Sequence, residues 1–581
     1  NIYIGITFDR GRLCSVIIEE KKGVKTLLAH HIQCSKLRNL DAEKDSVDFT
    51  NECKNLLSGL MNNISERSEI YKSAFKTLEQ KKSIYININN ENLNVLFIIA
   101  DDLNCDLGSY GHPLVISPNI DELANQGVLF ENAHNQFPLC SPSRISLMTG
   151  MYSDQTKSTK LQVHLRQTIP DVVTLGQRFK QRGYTSVRIG KIYHYGNPST
   201  IGTSSTDDVS TWTYTINPYG RDKEEEYKIK TLRPRQYGGT LSWLSAEGKD
   251  EEQTDGIGAT EAIEQLEKFS KNGKNFFLAV GMFRPHTPYV APKKYFDMYE
   301  MDEMEIPYDG SSDEYLSTIP IPAAISVRWK KDQILLNDKS NHKLAQEIKE
   351  AYYATTSFVD AQIGRILKKL KDTGLDKNTI VVFTSDHGYH LGEHGHWQKQ
   401  TLFDDSTRVP LIFSGPGIQK GVRSNSPVEL IDIYPTLMDL AEIETPSNVV
   451  GKSLKQIFQD PIYKVRESAL TRWRASQHGS FNFSESGIQG YSIKTDRYRL
   501  TKWGEKGEFG YELYDHKYEK EENINLVDNP KYTKVIDSLK IILDNRITAA
   551  RKKPKGLGRQ FKNAKPNFEP KRIYSSEKSK L

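Results

Sequence analysis

The chain is poor in cysteine: Cys14, Cys34, Cys53, Cys105 and Cys140 are the only five in 581 residues. No CxxC pair and no Cys/His zinc spacing occurs, which argues against a structural zinc module and against a disulfide-dense scaffold. Only Cys105 and Cys140 follow residue 92, so the larger part of the fold must be held by its core. Long apolar runs are also missing. The longest lies within Asn94–Ala100 (NVLFIIA), far short of the ~20 residues that cross a bilayer, so no membrane span is expected. No amino-terminal segment joins basic, apolar and small-residue regions as a signal peptide does. The first residue is Asn rather than Met, so the chain reads as a fragment or a processed form. An excess of one charge sign is confined to one end. The net charge is +5, but residues 551–581 carry eleven Lys/Arg against Glu569 and Glu577, a net of +9 that leaves −4 for the rest. That proline-containing tail reads as disordered and solvated, with docking onto a polyanionic glycan as the sharper alternative. No nucleic-acid recognition motif accompanies the charge, so no nucleic-acid partner is expected.

What is present divides the chain. Residues 1–92 look foreign to the remainder. Ile2–Thr7 and Leu13–Glu19 alternate apolar and polar residues across Asp9-Arg10-Gly11-Arg12, which predicts a hairpin. A polar helical stretch over 48–80 and an Asn-rich linker at Tyr85–Asn94 follow. From Asn94 strands and helices alternate, the pattern of a parallel α/β sheet. Candidate buried strands are 94–100, 185–189, 275–280, 379–384 and 410–413. Ser117-Pro118 predicts a helix start, with Ser as N-cap and Pro at the first helical position, and Gly127 its stop. Residues 344–371 predict one long helix, and the polar stretch 201–255 a surface insertion. Gly490–Leu500 and Tyr511–Asp515 read as antiparallel strands before a helix at 532–550.

In open α/β sheets, sites form beyond the carboxyl ends of strands, and chemistry-bearing residues gather there. Asp101-Asp102 follow the first strand, Lys191 and His194 (GKIYH) the second, His286 (GMFRPHTP) the third and Asp386-His387 (SDHG) the fourth. Between the acidic pairs stands Cys140-Ser141-Pro142-Ser143-Arg144. Taken singly, each has an ordinary explanation: a free Cys is usually a small core residue, Asp often caps a turn, and isolated Lys and His are usually solvated or structural. The three carboxylates are hard oxygen donors that suit calcium or magnesium better than a soft metal.

Together these motifs resemble the signature of type I, formylglycine-dependent sulfatases. The run NVLFIIADDLNCDLGSYG…SPNIDELANQGVLFENA…CSPSRISLMTG is most similar to the iduronate-2-sulfatase branch. The resemblance covers about 94–530. It implies an alkaline-phosphatase-like α/β sandwich: a large mixed, mainly parallel sheet flanked by helices, plus a smaller C-terminal α+β subdomain. The division is then 1–92 unrecognised segment and linker, 93–445 catalytic domain, 446–550 C-terminal subdomain and 551–581 basic tail. It also implies that a formylglycine-generating enzyme converts Cys140 to Cα-formylglycine, whose hydrate attacks sulfur. One calcium ion would be held by Asp101, Asp102, residue 140, Asp386 and His387, with zinc as the alternative. Arg144 would support the aldehyde hydrate, and Lys191 and Lys399 would bind sulfate oxygens. His194 would take a proton during sulfate release, and His286 would contact the ester oxygen. His390, His394 and His396 are expected to be supporting or structural. The implied function is a sulfuric ester hydrolase acting on 2-O-sulfated uronic acids of glycosaminoglycans, lysosomal or secreted. A sulfatase of another glycan or small molecule, or a catalytically silent binding protein on this fold, are the alternatives. Two departures bear on specificity. Tyr389 stands where the glycosaminoglycan enzyme has Trp, and would keep a smaller aromatic wall; the family's disulfide cysteines are absent from the catalytic domain. Asn63-Ile-Ser and Asn482-Phe-Ser are acceptable glycosylation tripeptides, weak support for a secretory route.

Overall fold

The computed structural model describes four strands before residue 34, and then residues 93–562 except 308–312, 328–334 and 476–486. The chain separates into two compact units, 1–92 and 93–581. In the first, Ile2–Asp9 pairs antiparallel with Arg12–Glu20, as the alternation predicts, and Gly23–Leu27 and Ile32–Gln33 both add to the second strand. The helix expected at 48–80 and most of the expected linker lie outside the described residues; Asn94 already belongs to the next strand.

The second unit is built on one eight-stranded sheet. Its strands are β1 (Asn94–Asp101), β2 (Gly127–Phe130), β3 (Thr185–Gly190), β4 (Tyr214–Ile216), β5 (Phe276–Pro285), β6 (Thr379–Ser385), β7 (Leu411–Ser414) and β8 (Val422–Ser424), in the order β8-β2-β7-β6-β1-β5-β3-β4. β7 is antiparallel to both neighbours, and every other pairing is parallel. β1 is central and buried on both faces, which is why it reads as an unbroken apolar run. Its side chains alternate: Leu96, Ile98 and Ala100 enter one core, Val95, Phe97 and Ile99 the other. The first core is covered by α3 (Thr254–Asn272) and α4 (His342–Asp372), the second by α2 (Cys140–Thr149) and the helix Ile433–Leu440. Each fully buried Leu, Ile or Phe in these layers stabilises the fold by roughly 1.5–3 kcal/mol. Among the described residues no helix is long and apolar enough to cross a membrane.

Three local expectations change. Ser117 does precede α1 (Pro118–Asn125), but its hydroxyl does not cap it. It accepts from Gly108 N at 3.0 Å and bonds Asp121 Oδ1 at 3.1 Å. The cap comes from α4 instead, where Asp360 accepts from Ile120 N at 2.8 Å and Asn119 N at 3.3 Å. The stretch 201–255 is not merely a surface insertion. It adds β4 to the sheet edge, lays Ser242–Ala246 parallel to Tyr289–Pro292, and buries Trp212, Leu241 and Trp243. Its few apolar anchors are far apart in sequence, so no period betrays them. The basic tail is ordered at its start: Pro554 and Leu557 are buried, Arg559 pairs with Asp171 at 2.7 Å, and Phe561 N donates to Thr168 O at 2.8 Å. Residues 563–581 lie outside the described residues.

A four-stranded antiparallel sheet follows: β9 (Ala469–Ala475), β10 (Ile488–Lys494), β11 (Tyr498–Trp503) and β12 (Tyr511–Asp515), backed by α5 (Thr533–Arg551). β9 escapes sequence reading because Arg472 and Arg474 place two charges in a strand of seven residues. An ionic cluster, fully buried except at Arg546, ties this layer to the body. Glu429 accepts from Leu470 N at 2.7 Å and from Tyr152 OH at 2.7 Å, and pairs with Arg466 at 2.9 Å and with Arg546 of α5. Arg466 also bonds both oxygens of Asp432. Removing the shared cation takes the bidentate partner from buried Asp432 and leaves Glu429 to Arg546. Arg466→Met is therefore expected to lower unfolding stability by about 3–5 kcal/mol, read from urea denaturation. A loss below about 1 kcal/mol would place the tie elsewhere.

Candidate functional site

The carboxyl ends of β1, β3, β5 and β6 meet the amino end of α2. Parallel register puts Ala100 opposite Ser385, so Asp101-Asp102 and Asp386-His387 leave the sheet side by side. α2 starts at Cys140, and its first turn aims the positive end of the helix at the same point. Arg144 lies one turn further along the same face. Its guanidinium, fully buried, donates to Asp386 Oδ2 (2.8 Å), Asp101 Oδ1 (2.8 Å), Lys191 O (2.6 Å) and Ile192 O (3.0 Å). Arg144 thus bridges two of the acidic residues and the strand end that carries Lys191.

Around Cys140 Sγ stand Lys399 Nζ at 3.2 Å, His387 Nε2 at 3.3 Å and Asp102 Oδ1 at 3.9 Å. Lys399 Nζ also bonds Asp102, and Lys191 Nζ bonds Asp101. His387 Nδ1 lies 3.0 Å from Gly388 O, so the ring donates there and turns Nε2 toward Asp102 and Cys140. His286 does the same through Thr287 O, leaving its Nε2 3.7 Å from Asp102 Oδ2. His194 sits with the group, and its buried Nδ1 has no hydrogen-bond partner. Asp102 itself has a left-handed backbone (φ 63°), which turns the chain sharply off the strand and lets its amide donate to Asp386 Oδ1 at 3.2 Å.

The electrostatics follow from packing like charges in a dry place. Burial raises the Asp102 carboxyl, and Asp101 and Cys140 add to this; Lys399 and His387 offset it only partly, so it titrates at about 7. Burial would also raise Asp101, but Lys191, His286, Arg144 and Lys399 hold it well below the usual carboxylate range. Against burial, Asp386 lifts His387 to about 9. Burial and then the lysine charges push His194 and His286 well below the ordinary imidazole value, so both are neutral near pH 7. Against burial, which would raise it, Lys399 and His387 together lower the Cys140 thiol.

These donors fit a divalent cation. One atom each of Asp102, Cys140, Asp386 and His387 lies within 4.8 Å of the others, all buried, and Asp101, Asp102 and His286 form a second such group. Asp102 Oδ2 is buried without a hydrogen-bond partner, a costly arrangement for a carboxylate unless a positive charge completes it.

Every expected site residue is therefore at this one place: Asp101, Asp102, Cys140, Arg144, Lys191, His194, His286, Asp386, His387 and Lys399. Sequence reading missed the groups that orient them. Ser143 Oγ donates to Asp386 O, Ser385 Oγ accepts from Leu103 N at 3.0 Å, and Tyr352 OH donates to Asp102 O at 2.8 Å. Tyr352 lies mid-helix, where nothing local marks it. His390 contacts Thr401 Oγ1 at 2.8 Å, His396 bridges Val327 O and Lys399 O, and His394 stacks on Phe403, all fully buried. Tyr389 needs correction. It forms no wall of an open pocket: it is 1% exposed, stacked on Tyr352 at 5.3 Å, with its hydroxyl 2.7 Å from that of Tyr289.

Comparison with known proteins gives consistent matches. The family model described as Sulfatase matches residues 93–443, and that described as N-sulphoglucosamine sulphohydrolase, C-terminal, matches 392–549. Human iduronate 2-sulfatase is 32% identical over 480 residues, covering 72% of this chain and 86% of that protein. A sulfatase of Formosa agariphila is 32% identical over 483 residues, covering 80% and 88%. The solved phosphonate monoester hydrolase of Silicibacter pomeroyi superposes with TM-score 0.65 over 78% of this chain and 95% of that one, at 22% identity, which carries the fold alone. The architecture is alkaline-phosphatase-like: the large mixed sheet between helices, with the antiparallel C-terminal sheet beside it.

The buried position of Tyr389 sets an expectation. Tyr389→Trp should overpack the Tyr289–Tyr352 layer and cost about 1–3 kcal/mol, and Tyr389→Phe should cost about 1–3 kcal/mol through the unpaired Tyr289 hydroxyl. Thermal melts check both. A Trp variant as stable as the parent would mean that the ring has open space.

Proposed function

Because this chain belongs to the sulfatase family, enzymes that hydrolyse sulfate esters, we propose that it removes 2-O-sulfate from uronic acid residues of a glycosaminoglycan, with Cys140 converted to formylglycine. The observation that carries the reading is the placing of Cys140: at the amino end of α2, within 3.3 Å of Lys399 and His387, over three buried carboxylates. The uronate assignment draws on the similarity to iduronate 2-sulfatase. It also draws on the cationic set Lys191 and Lys399, whose field favours an ester bearing a second negative charge. The reading includes a formylglycine-generating enzyme as maturation partner and a lysosomal or secreted location. It keeps 93–445 as catalytic domain and 446–550 as C-terminal subdomain, with 1–92 and the basic tail outside the chemistry.

Asp101, Asp102, Asp386, His387 and residue 140 would hold one calcium ion, which supplies a fixed positive charge beside residue 140 and the sulfate oxygens. The formyl group offers a hydrated carbon whose second hydroxyl lets sulfate leave, which a thiol lacks. The side chains do the rest. Arg144 fixes Asp101 and Asp386 relative to α2. Lys191 and Lys399 face the charge that develops on sulfate oxygens in a site without reorganising water. Neutral His194 is ready to accept a proton as sulfate departs. His286 is neutral in the free site because burial and the lysines depress it. A bound sulfate ester offsets those lysines, so His286 gains proton affinity where the leaving alcohol needs it.

Cys140→Ala is expected to abolish turnover while the melting temperature stays within a few degrees, since residue 140 contributes little core volume. Mass spectrometry of the tryptic peptide should show formylglycine. Activity above a trace in the Ala variant would overturn the mechanism. On a panel of esters, higher kcat/KM for a neutral aryl sulfate than for any 2-O-sulfated uronate would reject the uronate assignment.

Chelation should lower the melting temperature of the wild type, and calcium should restore it better than zinc. Asp386→Asn should show neither response, because an anionic ligand is gone. An unchanged calcium response in that variant would remove Asp386 from the ligand set.

A further inference from the structure

His286 follows the end of β5, and its backbone is held from a segment whose sequence suggests no role in the site. Asp255, in the first turn of α3, accepts from Phe283 N at 2.8 Å and Arg284 N at 2.9 Å. The Arg284 side chain, 1% exposed, turns away from the cation-binding carboxylates. It donates to Val290 O at 3.2 Å, Asn197 Oδ1 at 3.2 Å and Asp222 Oδ2 at 2.6 Å. The amide of Asn197, oriented by that bond, donates to His286 O at 3.3 Å and Phe283 O at 3.4 Å. The other oxygen of Asp222 accepts from Thr254 N at 2.9 Å and Thr254 Oγ1 at 2.6 Å at the start of α3. On the far side of His286, Thr287 Oγ1 donates to Thr240 O at 2.9 Å and accepts from Ser242 N at 3.1 Å. Asp222, Asp255, Thr240 and Ser242 all belong to the stretch 201–255.

We propose that Asp222 and Arg284 are positioning residues for His286. Asp222 holds the Arg284 side chain, and Arg284 orients Asn197, whose amide grips the carbonyls of Phe283 and His286; Asp255 holds the Phe283 and Arg284 amides from the other side. This fixes the ring so that Nδ1 stays on Thr287 O and Nε2 points at the reacting ester. Arg284 and Asp222 touch no reacting atom; they act through the backbone. The bonds form a closed circuit of buried, charge-assisted contacts, which tolerates little displacement. A shift of about 1 Å in a catalytic group is enough to lower a rate ~100-fold.

The proposal rests on His286 protonating the leaving alcohol, so the test separates the two. The variants are Asp222→Asn, which keeps the volume and the oxygen that accepts from Thr254 but loses the charge, and Arg284→Lys, which keeps the charge but loses the fork; both should fold. His286→Ala is the reference. The probes are a 2-O-sulfated uronate disaccharide, whose alkoxide leaves poorly, and para-nitrophenyl sulfate, whose phenolate leaves without a proton. His286→Ala should lose about 100-fold or more in kcat on the sugar ester and far less on the aryl ester. Asp222→Asn and Arg284→Lys should show the same selectivity at about 10-fold, with KM little changed. Adding Asp222→Asn to His286→Ala should cost nothing further on the sugar ester. A purely structural lesion would lower both esters alike, and that result in a folded variant overturns the bracing. If His286→Ala itself loses both equally, the acid role fails instead. The crystal structure of Asp222→Asn then decides the brace independently: a displaced or rotated His286 supports it, and an unmoved ring overturns it.

Discussion

Three carboxylates buried side by side are the constraint from which the rest of the site follows. Asp101, Asp102 and Asp386 could not remain ionised in an apolar interior without cations against them. Arg144 and Lys191 answer Asp101, Arg144 also answers Asp386, and Lys399 answers Asp102. The compensation is incomplete at Asp102, which titrates at about 7 and has a bare buried oxygen. That deficit is what makes the place a receptor for a further positive charge. The imbalance also reaches the imidazoles: burial, reinforced by the same lysines, keeps His194 and His286 neutral.

The sheet provides the rigidity such an arrangement needs. β1, β5 and β6 are central, buried on both faces and in parallel register, so their carboxyl ends cannot shift independently. The helix bearing Cys140 packs on one face of that sheet and α4 on the other. Tyr352 of α4 reaches through to the Asp102 carbonyl. Tyr389, which sequence comparison alone would put on a substrate wall, belongs to this support: with Tyr289 and Tyr352 it forms an aromatic floor below the acidic group.

The C-terminal layer is joined to this body through charge rather than through an extended apolar interface alone. Glu429, Asp432 and Arg466 form one buried cluster edged by Arg546, and Thr471 Oγ1 and Arg472 N bond the carbonyls of Asn135 and Gln136, just before the Cys140 helix. The edge of the second sheet thus abuts the segment that delivers residue 140.

Much of this is written in the local sequence. The runs of β1, β5 and β6 are apolar because both faces are covered, and α4 shows its period over thirty-one residues. Asp101-Asp102, Cys140 to Arg144 and Asp386-His387 are recognisable because each motif is short and its chemistry is contained within it. What tertiary structure alone decided are the relations between distant residues. Asp360 replaces Ser117 as the cap of α1, and Asp222 in an apparently featureless polar stretch grips Arg284. The first residues of the basic tail dock on Asp171 and Thr168, and Tyr389 turns inward. Such choices depend on which neighbours the fold brings within hydrogen-bond or packing distance. A side chain's own sequence context carries the chemistry it can perform, but not the partner that will hold it in place.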